Sequence, residues 1–144
     1  MRIVIDTNVL ISAVIGTSPQ IKAVLDVCRT GQTTLVISKP LLTELGRVLH
    51  KPKLQAIHRM SDVEISRYIK TLSSFAELVP GKTLVEVTTD ATDNLLFSCA
   101  LEGKADYIVS GDKKHVLPVD EYRGIHTISP HDFIEQVVGA EKAA

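Results

Sequence analysis

Aspartates close two apolar runs of the sequence. Asp6 ends the run at residues 1–5, and Asp112 follows the run at residues 105–109 after a Ser-Gly pair. Because the first run is rich in β-branched residues and shows no polar alternation, it predicts a strand buried on both faces, as in a parallel sheet. We interpret the second run in the same way. The carboxyl ends of parallel strands meet at one edge, where loops leave a crevice for ligands, so both carboxylates are expected there.

Helices are expected to bring two further acids to this edge. Asp93 follows Asp90 in the opening turn of a helix predicted over residues 90–101. Glu44 lies at the margin of the apolar stripe of a helix predicted over residues 40–49, where a carboxylate can point along the edge of the core. Each of these acids also has a simpler explanation, since an aspartate before a helix caps it and an exposed helical glutamate needs no function.

Four carboxylates at one edge indicate a metal site. At about 5 Å and an effective dielectric near 20, like charges repel by roughly a few kcal/mol per pair, so a cation is needed to hold them together. Oxygen ligands select Mg²⁺ or Mn²⁺, and the five histidines show no zinc spacing. Such ions activate water for phosphodiester hydrolysis. The predicted catalytic and metal-binding residues are Asp6, Glu44, Asp93 and Asp112, with hydrogen-bonding support from Thr7, Asn8, Asn94 and Ser110.

The rest of the chain alternates strands and helices with short joins. This alternation predicts an α/β fold with a central parallel sheet and right-handed crossovers. We expect a single domain over residues 1–139 and a short frayed tail at residues 140–144. Beyond the elements already given, helices are predicted at residues 9–15, 19–30, 61–75 and 129–138, strands at 33–37 and 125–128, and a short extended piece of uncertain pairing at 84–87.

The composition limits the classes of partner. The chain has 144 residues, 44% of them hydrophobic, and no tryptophan, which suits an aliphatic core better than a base-stacking surface. Its net charge of −1 gives no global attraction to nucleic acid, so any such contact has to be local. The sparse basic residues of segment 50–59 form either a phosphate-contacting arm or a solvated loop. The candidate contacts in this segment are Lys51, Lys53 and Arg59.

The cysteines and the hydropathy pattern indicate a compartment. Cys28 and Cys99 each lie in the apolar stripe of a predicted helix, which is typical of free thiols in a reducing environment. The apolar run at residues 9–15 is too short to span a bilayer. We therefore expect a cytoplasmic protein without a signal peptide and without membrane contact.

Four motifs follow one another along essentially the whole chain. They are Asp6-Thr7-Asn8 after the first strand, Ser38 to Glu44 on a helix, Asp90-x-x-Asp93-Asn94, and the run that ends in Ser110-Gly111-Asp112. Single pieces are weak signals, but the ordered set is specific and resembles the PIN-domain nucleases, in particular compact prokaryotic PIN proteins described as toxins of toxin–antitoxin pairs. Two departures are Ala91, where many relatives have proline, and Ser110, where threonine is frequent and the hydroxyl is kept.

The resemblance implies a fold and an activity. It implies a three-layer α/β/α sandwich with a central parallel sheet, and Mg²⁺- or Mn²⁺-dependent cleavage of single-stranded RNA by the same four acids. It also implies a homodimer and suggests a small antitoxin protein as regulator. The middle helical region supports the dimer, because it carries more apolar residues than one stripe need bury. These residues are Ile57, Met60, Val63, Tyr68 and Phe75.

Two other functions fit parts of the pattern. A haloacid-dehalogenase-like phosphatase also has an aspartate after its first strand, but it needs a second acid where Asn8 stands and a further acid where Val116 stands. The second alternative is a catalytically silent interaction module that retains the acid site without using it. Metal-dependent cleavage of RNA distinguishes this module from a nuclease.

Overall fold

Six strands form one central sheet. The computed structural model describes the backbone of residues 1–143 and the side chains of residues 1–141, so Ala144 lies outside the described part. The strands are β1 (Arg2–Ile5), β2 (Thr34–Ser38), β3 (Ala76–Val79), β4 (Tyr107–Val109), β5 (Glu121–Tyr122) and β6 (Ile125–Ile128). Their order across the sheet is β3-β2-β1-β4-β6-β5, and every neighbouring pair is parallel except β5 and β6.

Helices flank this sheet and connect its strands. They are α1 (Thr7–Ile15), α2 (Pro19–Arg29), α3 (Lys39–Leu49), α4 (Pro52–His58), α5 (Asp62–Phe75), α6 (Ala91–Glu102), α7 (Pro130–Asp132) and α8 (Gly139–Ala143), with a 3₁₀ turn at Leu117–Val119 and a π-helical stretch at Phe133–Val138. The predicted α/β fold, three layers around a mainly parallel sheet, is confirmed. Serine caps begin three of the helices, each followed by an early proline whose missing N–H costs the helix nothing. These caps are Ser18, Ser38 and Ser129.

The core between the layers is mostly aliphatic. The only fully buried aromatic side chains among the described residues are Phe97 and Phe133. Cys28 and Cys99 are buried and free, as their apolar stripes predict. Helix α6 ends close against β2 at Gly103, where a Cβ atom would lie 2.2 Å from Cγ1 of Val36. Glycine is therefore required there for α6 to pack on the sheet.

Several boundaries differ from those predicted. Strand β3 was not predicted, because it is a four-residue edge strand that follows α5 without a break and leaves Glu77 and Leu78 exposed. Its parallel pairing with β2 comes from the backbone and leaves no periodic side-chain signal. The segment 50–59, for which an arm or a loop was expected, contains helix α4. The final helical region does not end at Gly139 but continues to Ala143, across most of the expected tail at 140–144.

The segment 84–87, expected as an extended piece of uncertain pairing, pairs with none of the strands within residues 1–143. Residues 81–88, here called the strap, are instead held by side chains of α6 that lie four residues apart on one helix face. Glu102 accepts hydrogen bonds from the amides of Gly81 and Thr83 at 2.6 and 2.7 Å. Ser98 donates to the Thr83 carbonyl, and Asn94 binds the far end of the strap. The strap thus leads the chain back to the N-terminus of α6.

The order of the strands bears on where ligands bind. The chain passes from β1 outward to β2 and β3, and later returns to β4 on the other side of β1. This reversal makes the carboxyl ends of β1 and β4 a topological switch point, the usual ligand crevice of such sheets.

Among residues 1–143, no single helix is long and apolar enough to cross a bilayer, although α1 and α2 together reach that length and composition as a pair bent by 112°.

Candidate metal centre

Asp6 and Asp112 lie at the switch point and are joined by one serine. The pairing of Ile5 with Val109 sets the ends of β1 and β4 side by side, and the Asp6 amide donates to the Val109 carbonyl at 2.9 Å. The hydroxyl of Ser110 donates to Oδ2 of Asp6 at 2.8 Å and accepts from the Asp112 amide at 3.0 Å. Ser110, predicted as a supporting residue, therefore positions both acids.

Asp6 is buried and also caps a helix. It is 3% exposed, and its Oδ1 accepts from the Asn8 amide at 3.1 Å, which explains why α1 begins at Thr7 rather than at residue 9 as predicted. Burial raises the pKa of this carboxyl, the charge of Asp112 raises it further, and hydrogen bonds led by that of Ser110 oppose both effects. Asp6 therefore caps α1 and also lies at the switch point of the sheet.

Asp112 offers one open carboxylate oxygen. Its Oδ1 accepts from the amides of Lys114 and His115, both at 2.9 Å, which closes a turn after the Ser-Gly pair. These amide hydrogen bonds, that of His115 first, lower the pKa of the Asp112 carboxyl. The second oxygen, Oδ2, faces Nδ1 of His115 at 3.4 Å.

Asp93 reaches the same place from the first turn of α6. Asp90 caps that helix, because its Oδ1 accepts from the amides of Thr92 and Asp93 at 2.7 and 3.0 Å. The pKa of Asp93 is raised to about 6, first by burial and then by the negative charges of Asp90, Asp6 and Asp112, while His115 opposes the shift. Three of the four predicted acids therefore act on one another electrostatically.

The close group fits a divalent cation. Ligand atoms of Asp93, Asp112 and His115 all lie within 4.8 Å of one another. Two carboxylates beside an imidazole form a donor set that divalent ions accept, and a cation would offset the like charges that, after burial, raise the pKa of Asp93. His115 was not among the predicted metal ligands, because the histidines were judged only by zinc spacing. The sequence does contain Asp-x-x-His at residues 112–115, a spacing that brings the two side chains together on a tight turn.

Glu44 lies outside this close group. Its two carboxylate oxygens accept from Nε and Nη2 of Arg47 at 3.0 and 2.6 Å. The hydrogen bond from Arg47 lowers the pKa of Glu44, burial and the charge of Asp90 raise it, and the charges of Arg47 and Lys51 lower it further. Asp90 is the only acid of the site region whose charge reaches Glu44 among these effects. The structure therefore places Glu44 towards the rim of the site, held by an arginine.

The other predicted supporting residues act in different ways. Thr7 is buried beside Asp6 and its side chain lowers the pKa of that carboxyl, whereas Asn8 contributes a backbone amide and not its exposed side chain. Asn94 accepts from the amides of Val87 and Thr88 at 3.1 and 2.8 Å and donates to the Thr88 carbonyl at 3.0 Å. Its amide group is thus used to hold the strap, and its predicted contact with the acids is not seen among the described residues.

The predicted basic residues surround helix α4. Lys51 is its N-cap residue, Lys53 lies in its first turn, and Arg59 ends it in a left-handed conformation with φ of 57°. All three are exposed. The charge of Lys51 lowers the pKa of Glu44, so these two side chains are close enough to interact electrostatically.

Known proteins resemble the chain in sequence and in fold. The model of a family described as PIN domain matches residues 2–114. The chain is 31% identical over 143 residues to the uncharacterized protein MJ1680 of Methanocaldococcus jannaschii, and the match covers 94% of this chain and 91% of that protein. In fold, it resembles a chain in the crystal structure of VapBC2 from Rickettsia felis bound to a DNA fragment from their promoter, with a TM-score of 0.63, 16% identity, and coverage of 90% of this chain and 98% of that chain. This chain belongs to the PIN domain family.

Proposed function

We propose that the protein is a divalent-metal-dependent ribonuclease that cleaves single-stranded RNA. The observation that carries the proposal is the meeting of Asp6, Asp93 and Asp112 at the switch point of the sheet, where like charges help raise the pKa of Asp93 to about 6. A purely structural cap has no need of neighbouring carboxylates. Membership of the PIN domain family supports a nuclease and argues against the haloacid-dehalogenase-like alternative.

The proposed catalytic and metal-binding residues are Asp6, Glu44, Asp93 and Asp112. Asp93 and the open Oδ2 of Asp112 supply carboxylate oxygens to a Mg²⁺ or Mn²⁺ ion. When bound, the ion lowers the pKa of the attacking water and offsets negative charge on the leaving oxygen of the phosphodiester. Asp6 adds negative charge to the metal site. Through Ser110, it also fixes the backbone of Asp112. Glu44 contributes from the rim once Arg47 releases it.

The RNA approaches over helix α4 in this proposal. Exposed Lys51, Lys53 and Arg59 would contact phosphates of the strand, and the position of Lys51 beside Glu44 supports a path that leads to the acids. A local basic surface is needed because the whole chain carries a net charge of −1. A single strand suits such a path, since it can bend to bring one phosphodiester into the crevice.

The protein is proposed to act in the cytoplasm as the toxin of a toxin–antitoxin pair, restrained by a small antitoxin protein. The resemblance of its motifs to such toxins supports this role, as does a solved structural neighbour that is named VapBC2 and is bound to promoter DNA. Two buried, free cysteines suit a reducing compartment. A homodimer is proposed as well, because Ile57 and Val63 are 56% and 61% exposed.

Cleavage of labelled single-stranded RNA tests the proposal. Purified protein is incubated with the RNA in Mn²⁺, in Mg²⁺ or in chelator, and duplex RNA and single-stranded DNA of the same sequence are treated in parallel. We expect cleavage of the single-stranded RNA with a divalent ion and none in chelator. Intact RNA under every metal condition would favour the silent interaction module, and cleavage that survives chelator would rule out metal dependence.

A further inference from the structure

We infer that His115 supplies an imidazole nitrogen to the ion held by Asp93 and Asp112, so that the site prefers Mn²⁺ to Mg²⁺. The inference rests on the proposed function only in taking this site to be the metal site. It replaces the all-oxygen ligand set expected from the sequence with two carboxylates and one nitrogen. It also chooses between two ions that the acids alone leave equivalent.

A short turn fixes the position of the imidazole. Because Oδ1 of Asp112 accepts from the amides of Lys114 and His115, the backbone curls so that the His115 ring stands beside Oδ2 of the same aspartate. The separation of Nδ1 and Oδ2 is 3.4 Å. Neighbouring ligands on one octahedral ion lie about 3 Å apart, given bond lengths slightly above 2 Å. The ligand atoms of Asp93 lie within 4.8 Å of both groups.

The donor atoms that remain open at this place include one nitrogen. Asp6 is 3% exposed and both of its oxygens accept hydrogen bonds, from the Asn8 amide and the Ser110 hydroxyl. Oδ1 of Asp112 is occupied by two amides. The accessible donor atoms are therefore Oδ2 of Asp112, the carboxylate of Asp93 and the ring of His115, whose side chain is 57% exposed, whereas burial limits access to Asp6.

The third donor decides the choice of ion. Mg²⁺ is bound almost entirely by oxygen and keeps several of its waters. Mn²⁺ binds nitrogen more weakly than the later first-row ions do, but it accepts an imidazole far more readily than Mg²⁺ does, so a ring at this position strengthens the binding of Mn²⁺ with little effect on Mg²⁺. His115 should thus govern the difference in affinity between the two ions.

Calorimetric titration of the metal-free full chain with MnCl₂ and with MgCl₂ tests this inference. His115→Ala should raise the Kd for Mn²⁺ by about tenfold or more and change the Kd for Mg²⁺ by less than about threefold. His131→Ala is the matched control, because His131 is similarly exposed and its Nδ1 lies 3.2 Å from Oδ1 of Asp132. That control should leave both constants unchanged. An unchanged Kd for Mn²⁺ in His115→Ala, or equal losses for the two ions, would overturn the inference.

A spectroscopic measurement on the wild type does not depend on a variant. Electron spin echo modulation of the Mn²⁺-loaded protein detects a coordinated nitrogen directly. We expect a nitrogen coupling that disappears in His115→Ala and persists in His131→Ala. Absence of the coupling in the wild type would show that the ring does not bind the ion.

The outcomes separate this inference from the proposed function. If the wild type cleaves RNA with a divalent ion but His115→Ala binds Mn²⁺ as tightly as the wild type does, then His115 is not a ligand and the nuclease assignment is unaffected. If Mn²⁺ binding depends on His115 but no RNA is cleaved under any condition, then His115 is a ligand and the nuclease proposal is wrong. Asp93→Asn serves both experiments, because it should weaken Mn²⁺ and Mg²⁺ alike.

Discussion

Glu44 and Arg47 form a two-point ion pair across one turn of α3, with Nε and Nη2 of the arginine 3.0 and 2.6 Å from the two carboxylate oxygens. The glutamate is largely covered and the arginine is more than half exposed, with 19% and 57% of the side chains accessible. A cation that binds Glu44 has to compete with this guanidinium. The pair thus sets how much Glu44 can contribute to the metal site.

Removing the arginine should release the glutamate. Because a pair this close to the surface is worth at most about 1 kcal/mol, we expect Arg47→Ala to tighten Mn²⁺ binding by up to about fivefold. Glu44→Gln should weaken it. Calorimetric titration measures both effects, and Arg29→Ala is the control, since Arg29 forms a similar i,i+3 pair with Asp26 on α2 at 2.6 Å. If neither variant changes the affinity, Glu44 is not a ligand.

The part of the site that sequence could predict comes from the strands. Asp6 and Asp112 are recognisable because each follows an apolar strand, and the pairing of Ile5 with Val109 brings parallel strand ends to one edge. The contacts of the other site residues depend on local turns, which the hydrophobic periodicity of the sequence does not predict. His115 faces the site because Asp112 caps the turn beneath it, and Asn94 faces the strap rather than the acids.

The same reasoning explains which parts of the fold were missed. Long amphipathic helices such as α5, with its Ser61 cap, are predicted well because burial of one face imposes a period. Strand β3 imposes none, since it lies at the edge of the sheet with two exposed side chains in a row. The segment 84–87 was expected as an extended piece of uncertain pairing; within residues 1–143 it belongs to the strap, which is held by side chains of α6 rather than by a neighbouring strand.

The stability of the metal-free protein should depend on pH through Asp93. Its folded-state pKa of about 6 lies above the usual value near 3.9, so the folded chain binds more protons between these values. The contribution of Asp93 to stability is therefore fully present below about pH 4 and is lost as the pH rises through about 6. In chelator, the melting temperature of the wild type relative to Asp93→Asn should rise as the pH falls from about 7.5 to about 5. A constant difference would contradict the shift.

Asp112 provides the opposite case and serves as a control. Its pKa is lowered by amide hydrogen bonds, so its contribution is present above the unfolded pKa and is lost only as the pH falls through the still lower folded value. Asp112→Asn should accordingly melt at or below the wild type near neutral pH, whereas Asp93→Asn should melt at or above it. Charge repulsion alone predicts a gain for both variants, and the hydrogen bonds of Asp112 revise that expectation.

Charge reversal on α4 should weaken RNA binding. Lys51→Glu/Lys53→Glu places acids at the start of the helix, where the helix dipole favours them, so the fold should be kept. In an Asp93→Asn background, which we expect to be inactive, the dependence of log K on log salt should become shallower by roughly 0.7 for each phosphate that the variant no longer neutralises. Lys70→Glu/Lys104→Glu makes the same charge change elsewhere, with Lys104 before the start of β4 at the opposite edge of the sheet. If log K falls with log salt equally steeply in the two double variants, Lys51 and Lys53 do not contact RNA and are ordinary solvated side chains.

The proposed dimer has fewer exposed apolar residues to use than the sequence suggested. Of the five apolar residues in the middle helical region, Met60, Tyr68 and Phe75 pack against the core, whereas Ile57 and Val63 remain exposed. Light scattering at rising micromolar concentration should give twice the monomer mass for the wild type and the monomer mass for Val63→Glu. Leu84→Glu is the control, because Leu84 is 96% exposed on the strap. A monomer mass that persists for the wild type would remove the dimer.

Cleavage of labelled single-stranded RNA in Mn²⁺ by three neutralised variants tests the central claim most directly. The variants are Asp6→Asn, Asp93→Asn and Asp112→Asn, compared with wild type and with Asp26→Asn, which neutralises an exposed acid on α2. We predict that each of the three falls to the rate measured for wild type in chelator while keeping a cooperative melting transition, and that Asp26→Asn cleaves as wild type does. Wild-type rates in all three variants would contradict the assignment of these acids to the metal site.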